Sequence, residues 1–202
     1  MATIYDIIDT SAIYSAAREH CHMTPLPDGT LRIVTVARLS SPKNHLLAVQ
    51  TAAILKRRGL DFLWHFVGDG PEREAVAQAI RQEGLDKHIS IEGAKDNPYP
   101  FFAAADIYVQ TSRFEGYGLT LAEARLLGRP VVSTDFPVAH EQITDGYNGL
   151  IAEMSPERVA DRIMALAADE SLRQSLGAQA AAEINITADT ESRKVNDLIC
   201  KK

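Results

Sequence analysis

The chain alternates between short apolar runs and longer segments in which apolar residues recur every three to four positions. The short runs are rich in valine, isoleucine and aromatic residues, which is typical of buried parallel strands. We predict strands at residues 31–37, 61–68, 89–93, 105–110 and 130–134, with a short last strand near 151. The longer segments predict helices at residues 42–58, from the turn at 68–71 to about 83, and at 97–104, 119–127, 156–168 and 171–184.

About six strands that alternate with helices predict an α/β domain, since parallel neighbours are joined by crossover helices that cover both faces of the sheet. The predicted fold class is a single Rossmann-like three-layer α/β/α domain with a parallel sheet of about six strands. Ahead of it, residues 1–22 have a helical pattern that Asp9 or Ser11 could cap, and the turn residues at 25–29 break the chain. We therefore divide the chain into a connector helix, residues 1–28, and the Rossmann-like domain, residues 29–202.

Composition excludes several classes of protein. A net charge of −6 over 202 residues argues against binding of nucleic acid through phosphate contacts. The two cysteines, Cys21 and Cys200, form no disulfide framework, and neither a membrane-spanning run nor a signal peptide is apparent. We therefore expect a cytoplasmic protein. His20 and His22 flank Cys21, but adjacent residues rarely share one metal and no second cluster exists, so no metal site is predicted.

The candidate chemistry centres on a loop broken by glycines, at residues 112–118, between a predicted strand and a predicted helix. Glycine lets a backbone approach an anion closely, and a helix start offers unpaired N–H groups and a positive dipole end. This geometry predicts a phosphate site at Gly118. Glu123 lies roughly 6–8 Å further along the helix axis, where a ribose would lie, and Glu115 lies on the side of the far phosphate. The alternative is a helix cap with an ordinary surface glutamate.

Two cations follow the first predicted strand. Arg38 lies at the carboxyl end of this strand and Lys43 at the start of the next helix. Ligands of open α/β sheets bind at this edge, and a guanidinium with an ammonium group suits a diphosphate. The alternative is that both are solvated surface cations.

Two sequence features resemble one known family. The stretch from Glu115 to Leu119, together with Glu123, is similar to the glutamate–seven residues–glutamate motif of the family 4 (group 1) glycosyltransferases. The segment Gly128-Arg129-Pro130-Val131-Val132 resembles the element that follows this motif, and the resemblance runs from about residue 31 to about residue 175. It implies the C-terminal, donor-binding domain of an enzyme with the two-domain GT-B fold. Residues 1–28 would then be the interdomain connector, and the N-terminal acceptor domain would be absent from this sequence.

The resemblance also implies roles for site residues. Arg38 and Lys43 would contact the donor diphosphate and stabilise the leaving group, so both are predicted to be catalytic together with Glu115. Glu115 would contact hydroxyls of the donor sugar, and Glu123 would bind the ribose. The predicted donor-binding residues are Arg38, Lys43, Glu115, Gly116, Tyr117, Gly118, Leu119, Thr120 and Glu123.

Two segments modify this expectation. The main chain of Gly93-Ala94-Lys95 lies where the family meets the nucleobase, so the identity of the base cannot be deduced from side chains. Phe136-Pro137 stands where the commonest family pattern has a glycine pair, which predicts a stiffer and bulkier loop.

The resemblance implies a retaining transferase with no cofactor and no metal. Its substrate would be a nucleotide-diphosphate sugar, such as a UDP- or GDP-sugar. The other partner would be a glycan or lipid-linked acceptor that reaches the site through the N-terminal domain, with membrane contact by the full enzyme. The isolated chain would then transfer sugar poorly or not at all. A nucleotide-sugar epimerase of the same fold and a non-catalytic nucleotide-binding module are the alternatives.

Overall fold

A computed structural model of the protein describes residues 9–20, 23 and 25–184. The predicted continuation of the last helix beyond Ile184 lies outside these residues, and so do Cys21, His22 and Cys200. The domain division at residues 28 and 29 stays a prediction.

The predicted α/β fold is confirmed, with a six-stranded sheet whose strands are all parallel and lie in the order β3-β2-β1-β4-β5-β6. The order reverses between β1 and β4, and ligands of open α/β sheets bind beside such a switch point, outside the carboxyl ends of the strands. The strands are β1 Leu31–Val36, β2 Phe62–Val67, β3 Ile89–Gly93, β4 Ile107–Gln110, β5 Val131–Thr134 and β6 Leu150–Ala152.

Helices connect the strands close to where the apolar periodicity places them. They are α1 Thr10–Ala16, α2 His45–Arg57, α3 Arg73–Gln82, α4 Tyr99–Ala104, α5 Leu119–Leu126, α6 Pro137–Gln142, α7 Pro156–Ala168 and α8 Glu170–Glu183. The predicted helix 42–58 was wrong at its start, because Ser41–Lys43 form a 3₁₀ turn and Asn44 adopts a left-handed conformation with φ 54°. Asparagine tolerates this conformation better than most residues, so it separates the turn from α2.

The sheet buries an apolar cluster on each face. One cluster packs β1 and β2 against α2 and α7, and it includes the fully buried Trp64. The indole of Trp64 donates a hydrogen bond to Thr35 at 3.0 Å, and Thr35 in turn donates to the carbonyl of Val109 at 2.6 Å. The polar atoms that the core encloses here are therefore paired, as burial requires. The second cluster packs α4, α5 and α6 on the opposite face.

Helix α1 packs against α5. Asp9 caps α1 by accepting from the N–H of Ala12 at 3.0 Å, and Ile13 is buried against Ala122 and Leu126. The hydroxyl of Tyr14 donates to the carbonyl of Leu126 at 3.1 Å. The segment ahead of β1 is thereby joined to the helix that carries the candidate phosphate site.

Candidate functional site

The start of α5 has the geometry that the glycine loop predicts. Gly118 is the N-cap residue with φ +79°, a conformation that favours glycine, and no side chain caps the helix. Within the described residues, no carbonyl or side chain accepts from the N–H groups of Gly118, Leu119 and Thr120. Three backbone donors at the positive end of a helix are therefore available to one anion.

A cleft of about 220 Å³ lies in front of this helix start. It contains both the uncapped backbone donors and a cation, and six of the nine predicted donor-binding residues line it. They are Lys43, Glu115, Tyr117, Gly118, Leu119 and Thr120.

Lys43 and Glu115 form an ion pair inside this cleft. The Nζ of Lys43 lies 2.5 Å from both carboxylate oxygens of Glu115, whose side chain is only 9% exposed. Oε1 of Glu115 also accepts from the amide of Gln110 at 2.8 Å and from the hydroxyl of Ser112 at 2.7 Å. In contrast, Lys43 is the only hydrogen-bond partner described for Oε2. Gln110 and Ser112 thus hold the carboxylate in place through Oε1, and Lys43 neutralises its charge through both oxygens.

Glu123 lies one turn inside α5, is half-buried and does not line the cleft. Its Oε1 accepts a hydrogen bond from the hydroxyl of Tyr99 at 2.9 Å. Burial raises the pKa of Glu123 above its usual range, and the bond from Tyr99 opposes this rise. The glutamate spacing therefore places one carboxylate in the lining of the cleft, whereas the second is hydrogen-bonded to Tyr99 on α4.

Two predicted residues lie apart from this lining. The side chain of Arg38 is exposed just beyond β1, and it makes no hydrogen bond or ion pair in the described part of the chain. Gly116 is exposed, and an added Cβ would meet nothing within 4 Å, so the loop does not need a glycine there for space. The structure brings neither residue into the cleft.

Three residues that support the site had not been predicted from the sequence. Gln110 and Ser112 hold Glu115, and their position at the end of an apolar strand was a usable signal. Gln142, at the end of α6, is buried and donates to the carbonyl of Tyr117 at 2.5 Å. Phe136, in place of a family glycine, is buried in the core and begins α6, so this bulkier loop positions Gln142. Only tertiary packing shows the contact of Gln142.

A larger cavity of about 530 Å³ lies between the ends of β5 and β6 and α7. Its charges are largely joined in ion pairs, such as His140 with Asp135 at 2.8 Å and Arg162 with Asp145 at 2.9 Å. It contains no predicted site residue, so size alone does not make it the better candidate.

Over residues 9–20, 23 and 25–184, no helix is long and apolar enough to cross a membrane, and no three His, Cys, Asp or Glu side chains are grouped as metal ligands.

His45 follows the loop of Lys43 and is fully buried at the start of α2. Its ring packs edge-on against Phe66 at 5.1 Å, and neither ring nitrogen has a hydrogen-bond partner among the described residues. Burial, helped by the charge of Lys43, lowers the pKa of His45 to about 4. Between pH 6.5 and pH 4, His45 is therefore protonated in the unfolded chain but neutral in the folded chain. The free energy of unfolding falls as the pH falls through this range.

We expect His45→Leu to reduce this loss. Between pH 7 and pH 5 the free energy of unfolding should fall by about 2 kcal/mol less in the variant than in the wild type. Leucine has a similar volume, and no hydrogen bond is lost. Urea denaturation at both pH values measures the difference, and an unchanged pH dependence would show that another group carries it.

Comparison with known proteins gives a consistent result. The family model described as glycosyl transferases group 1 matches residues 19–183. A poly(glycerol-phosphate) alpha-glucosyltransferase of Bacillus subtilis is 32% identical over 157 residues, which is 77% of this chain and 23% of that protein. The chain thus spans about a quarter of this curated relative.

Solved structures share the fold. A mutant of S. aureus TarM, in complex with Fondaparinux, alpha-GlcNAc-glycerol and UDP, superposes with a TM-score of 0.84 at 23% identity, over 98% of this chain and 39% of TarM. The C-terminal domain of a group 1 glycosyl transferase, LpcC of Francisella tularensis, has a TM-score of 0.65 at 25% identity, over 75% of this chain and 83% of that chain. The match is to the C-terminal domain of such enzymes.

Proposed function

Because this chain belongs to the glycosyl transferases of group 1, we propose that it binds the donor of a sugar transfer, a nucleotide-diphosphate sugar. One observation carries the proposal: three unpaired N–H groups at the start of α5 face a cleft that also contains Lys43. Backbone donors, a helix dipole and an ammonium group together are the chemistry that a diphosphate requires. UDP is bound to the TarM mutant in its structure, and this makes a uridine nucleotide the first to examine.

The diphosphate would compete with Glu115 for Lys43. In the structure the ammonium group is paired with the carboxylate, and a phosphate on the uncapped helix start would attract it. Gln110 and Ser112 hold Oε1, so the departure of Lys43 exposes Oε2 as an acceptor for sugar hydroxyls. Glu115 thereby acts on the sugar only when the diphosphate is bound. Arg38, exposed at the end of β1, is the second cation for the leaving phosphate.

In the intact enzyme, the bond between the anomeric carbon and the phosphate oxygen breaks as an acceptor oxygen bonds to that carbon. The acceptor hydroxyl gives up its proton to solvent water, and the nucleoside diphosphate leaves with added negative charge. Lys43, Arg38 and the α5 dipole would stabilise this charge without a metal. The acceptor, a glycan or a lipid-linked chain, would enter from the N-terminal domain, and the anomeric configuration would be retained.

We expect the chain to bind one of UDP, GDP and ADP, and Glu123→Ala to weaken this binding at least about tenfold, through the lost hydrogen bonds to ribose. Isothermal titration calorimetry measures both. Glu83→Ala, at an exposed glutamate directly after α3, is the matched control and should leave the affinity unchanged.

Binding of none of the three nucleotides, or equal binding by Glu123→Ala, would contradict the proposed donor site. A bound nucleotide without sugar transfer, even after an N-terminal domain is supplied, would favour a non-catalytic module.

A further inference from the structure

Tyr99 lies on α4, outside the glycine loop and the phosphate cleft. Its hydroxyl donates to Oε1 of Glu123 at 2.9 Å, and no other hydrogen bond is described for this hydroxyl. Burial, together with the nearby Glu123, raises the pKa of Tyr99 to about 12. The phenol therefore remains a protonated donor at neutral pH.

The ring of Tyr99 is itself held in place. It stacks on Phe102 with ring centroids 6.1 Å apart, and its backbone N–H donates to the side chain of Asn97 at 3.1 Å. The amide of Asn97 donates to the carbonyl of Ala16 on α1 at 2.9 Å. Tyr99 is thus a rigid donor on an anchored helix, whereas a glutamate side chain has three rotatable torsions of its own.

From this geometry we infer that Tyr99 is a positioning residue for Glu123, fixing its carboxylate so that the remaining oxygen, Oε2, faces the ribose hydroxyls of a bound nucleotide. The inference rests on the proposed function, in which Glu123 binds ribose. Oε1 is occupied by the phenol, so Oε2 is the better placed acceptor. Removing the Tyr99 hydroxyl should leave the carboxylate free to rotate within a half-buried site, and it should then bind ribose more weakly.

The ionisable groups around Glu123 predict a second effect of Tyr99, on the pH dependence of nucleotide binding. Tyr99 faces it from α4, and the fully buried Tyr108 on β4 has a pKa that is raised by burial and, to a smaller extent, by Glu123. The bond from Tyr99 opposes the effect of burial on the pKa of Glu123, so its removal lets that pKa rise further. Nucleotide binding that depends on an ionised Glu123 should then fail at a higher pH in Tyr99→Phe than in the wild type.

The test is a double-mutant cycle between the protein and the ligand. Wild type and Tyr99→Phe are titrated with UDP, GDP and ADP and with the 2′,3′-dideoxy form of each. Tyr99→Phe should weaken the nucleotide that binds by about 5–10-fold, and it should change binding of the dideoxy form by less than about twofold. In the Glu123→Ala background, Tyr99→Phe should have no further effect.

Tyr14→Phe is the matched control. It also deletes a tyrosine hydroxyl that is bonded to α5, here to the carbonyl of Leu126. Its affinity should stay within about twofold of the wild type.

Three outcomes overturn the inference. Equal weakening of the ribose and dideoxy nucleotides would assign Tyr99 a merely structural role. Unchanged binding by Tyr99→Phe, when Glu123→Ala is impaired, would show that Glu123 needs no positioning. If the wild type binds no nucleotide, or Glu123→Ala binds normally, then the proposed function itself fails and the inference fails with it.

Discussion

Lys43→Met is expected to weaken nucleoside diphosphate binding about 100-fold and to lower the free energy of unfolding by about 2 kcal/mol. Both losses have the same origin. The variant removes the ammonium group from the phosphate cleft, and it leaves the carboxylate of Glu115, 9% exposed, without its counter-charge. The amide of Gln110 and the hydroxyl of Ser112 still donate to this carboxylate, so the fold should survive. Calorimetric titration and urea denaturation measure the two effects.

A double variant separates the two effects. Glu115→Gln added to Lys43→Met removes the uncompensated charge, so it should restore most of the lost stability. It cannot restore the affinity, because no cation returns to the cleft. Normal affinity in Lys43→Met would contradict the assignment of Lys43 to the diphosphate.

Gly68→Ala is expected to lower the free energy of unfolding by about 3 kcal/mol or more. Gly68 follows β2 and has φ +146°, a conformation that side chains rarely adopt. An added Cβ would also lie 2.0 Å from the carbonyl oxygen of Ala37, which is backbone and cannot move aside cheaply. The loop that carries Arg38 would have to shift. Urea denaturation gives the stability.

Gly59→Ala controls for the backbone conformation alone. Gly59 also has a positive φ, +78°, but an added Cβ there would meet nothing within 4 Å. The control should therefore cost only about 1 kcal/mol. Similar losses in the two variants would mean that the contact with Ala37 relaxes easily.

Much of the fold was predictable from the sequence. A β-branched run such as Leu31–Val36 has few alternatives to a buried strand, and amphipathic segments such as Pro156–Ala168 match a helix closely. The family resemblance is confirmed, because the family model of the group 1 glycosyl transferases matches residues 19–183. The predicted start of α2 was wrong, because Asn44 has a left-handed backbone conformation that the spacing of apolar residues does not indicate.

The site was predictable in part, for a similar reason. A glycine before a helix start predicts a candidate anion site from local sequence alone, so the loop from Glu115 to Thr120 could be identified without knowledge of the fold. For Lys43, the sequence predicted only that it lies at the same edge of the sheet as this loop, and not that it contacts the loop. Arg38, predicted by the same argument, is exposed beyond β1 and does not line the cleft, since the edge of a sheet is wider than one cleft.

The sequence alone thus determined the strands, the helices, the uncapped start of α5 and the family, because these depend on chemistry between near neighbours in the chain. The tertiary structure decided which side chains meet: Lys43 with Glu115, 72 positions apart, and Tyr99 with Glu123, 24 positions apart. These contacts depend on the order of the strands and on how the helices pack over them. No local pattern encodes that order, since it reflects the burial of the whole sheet at once.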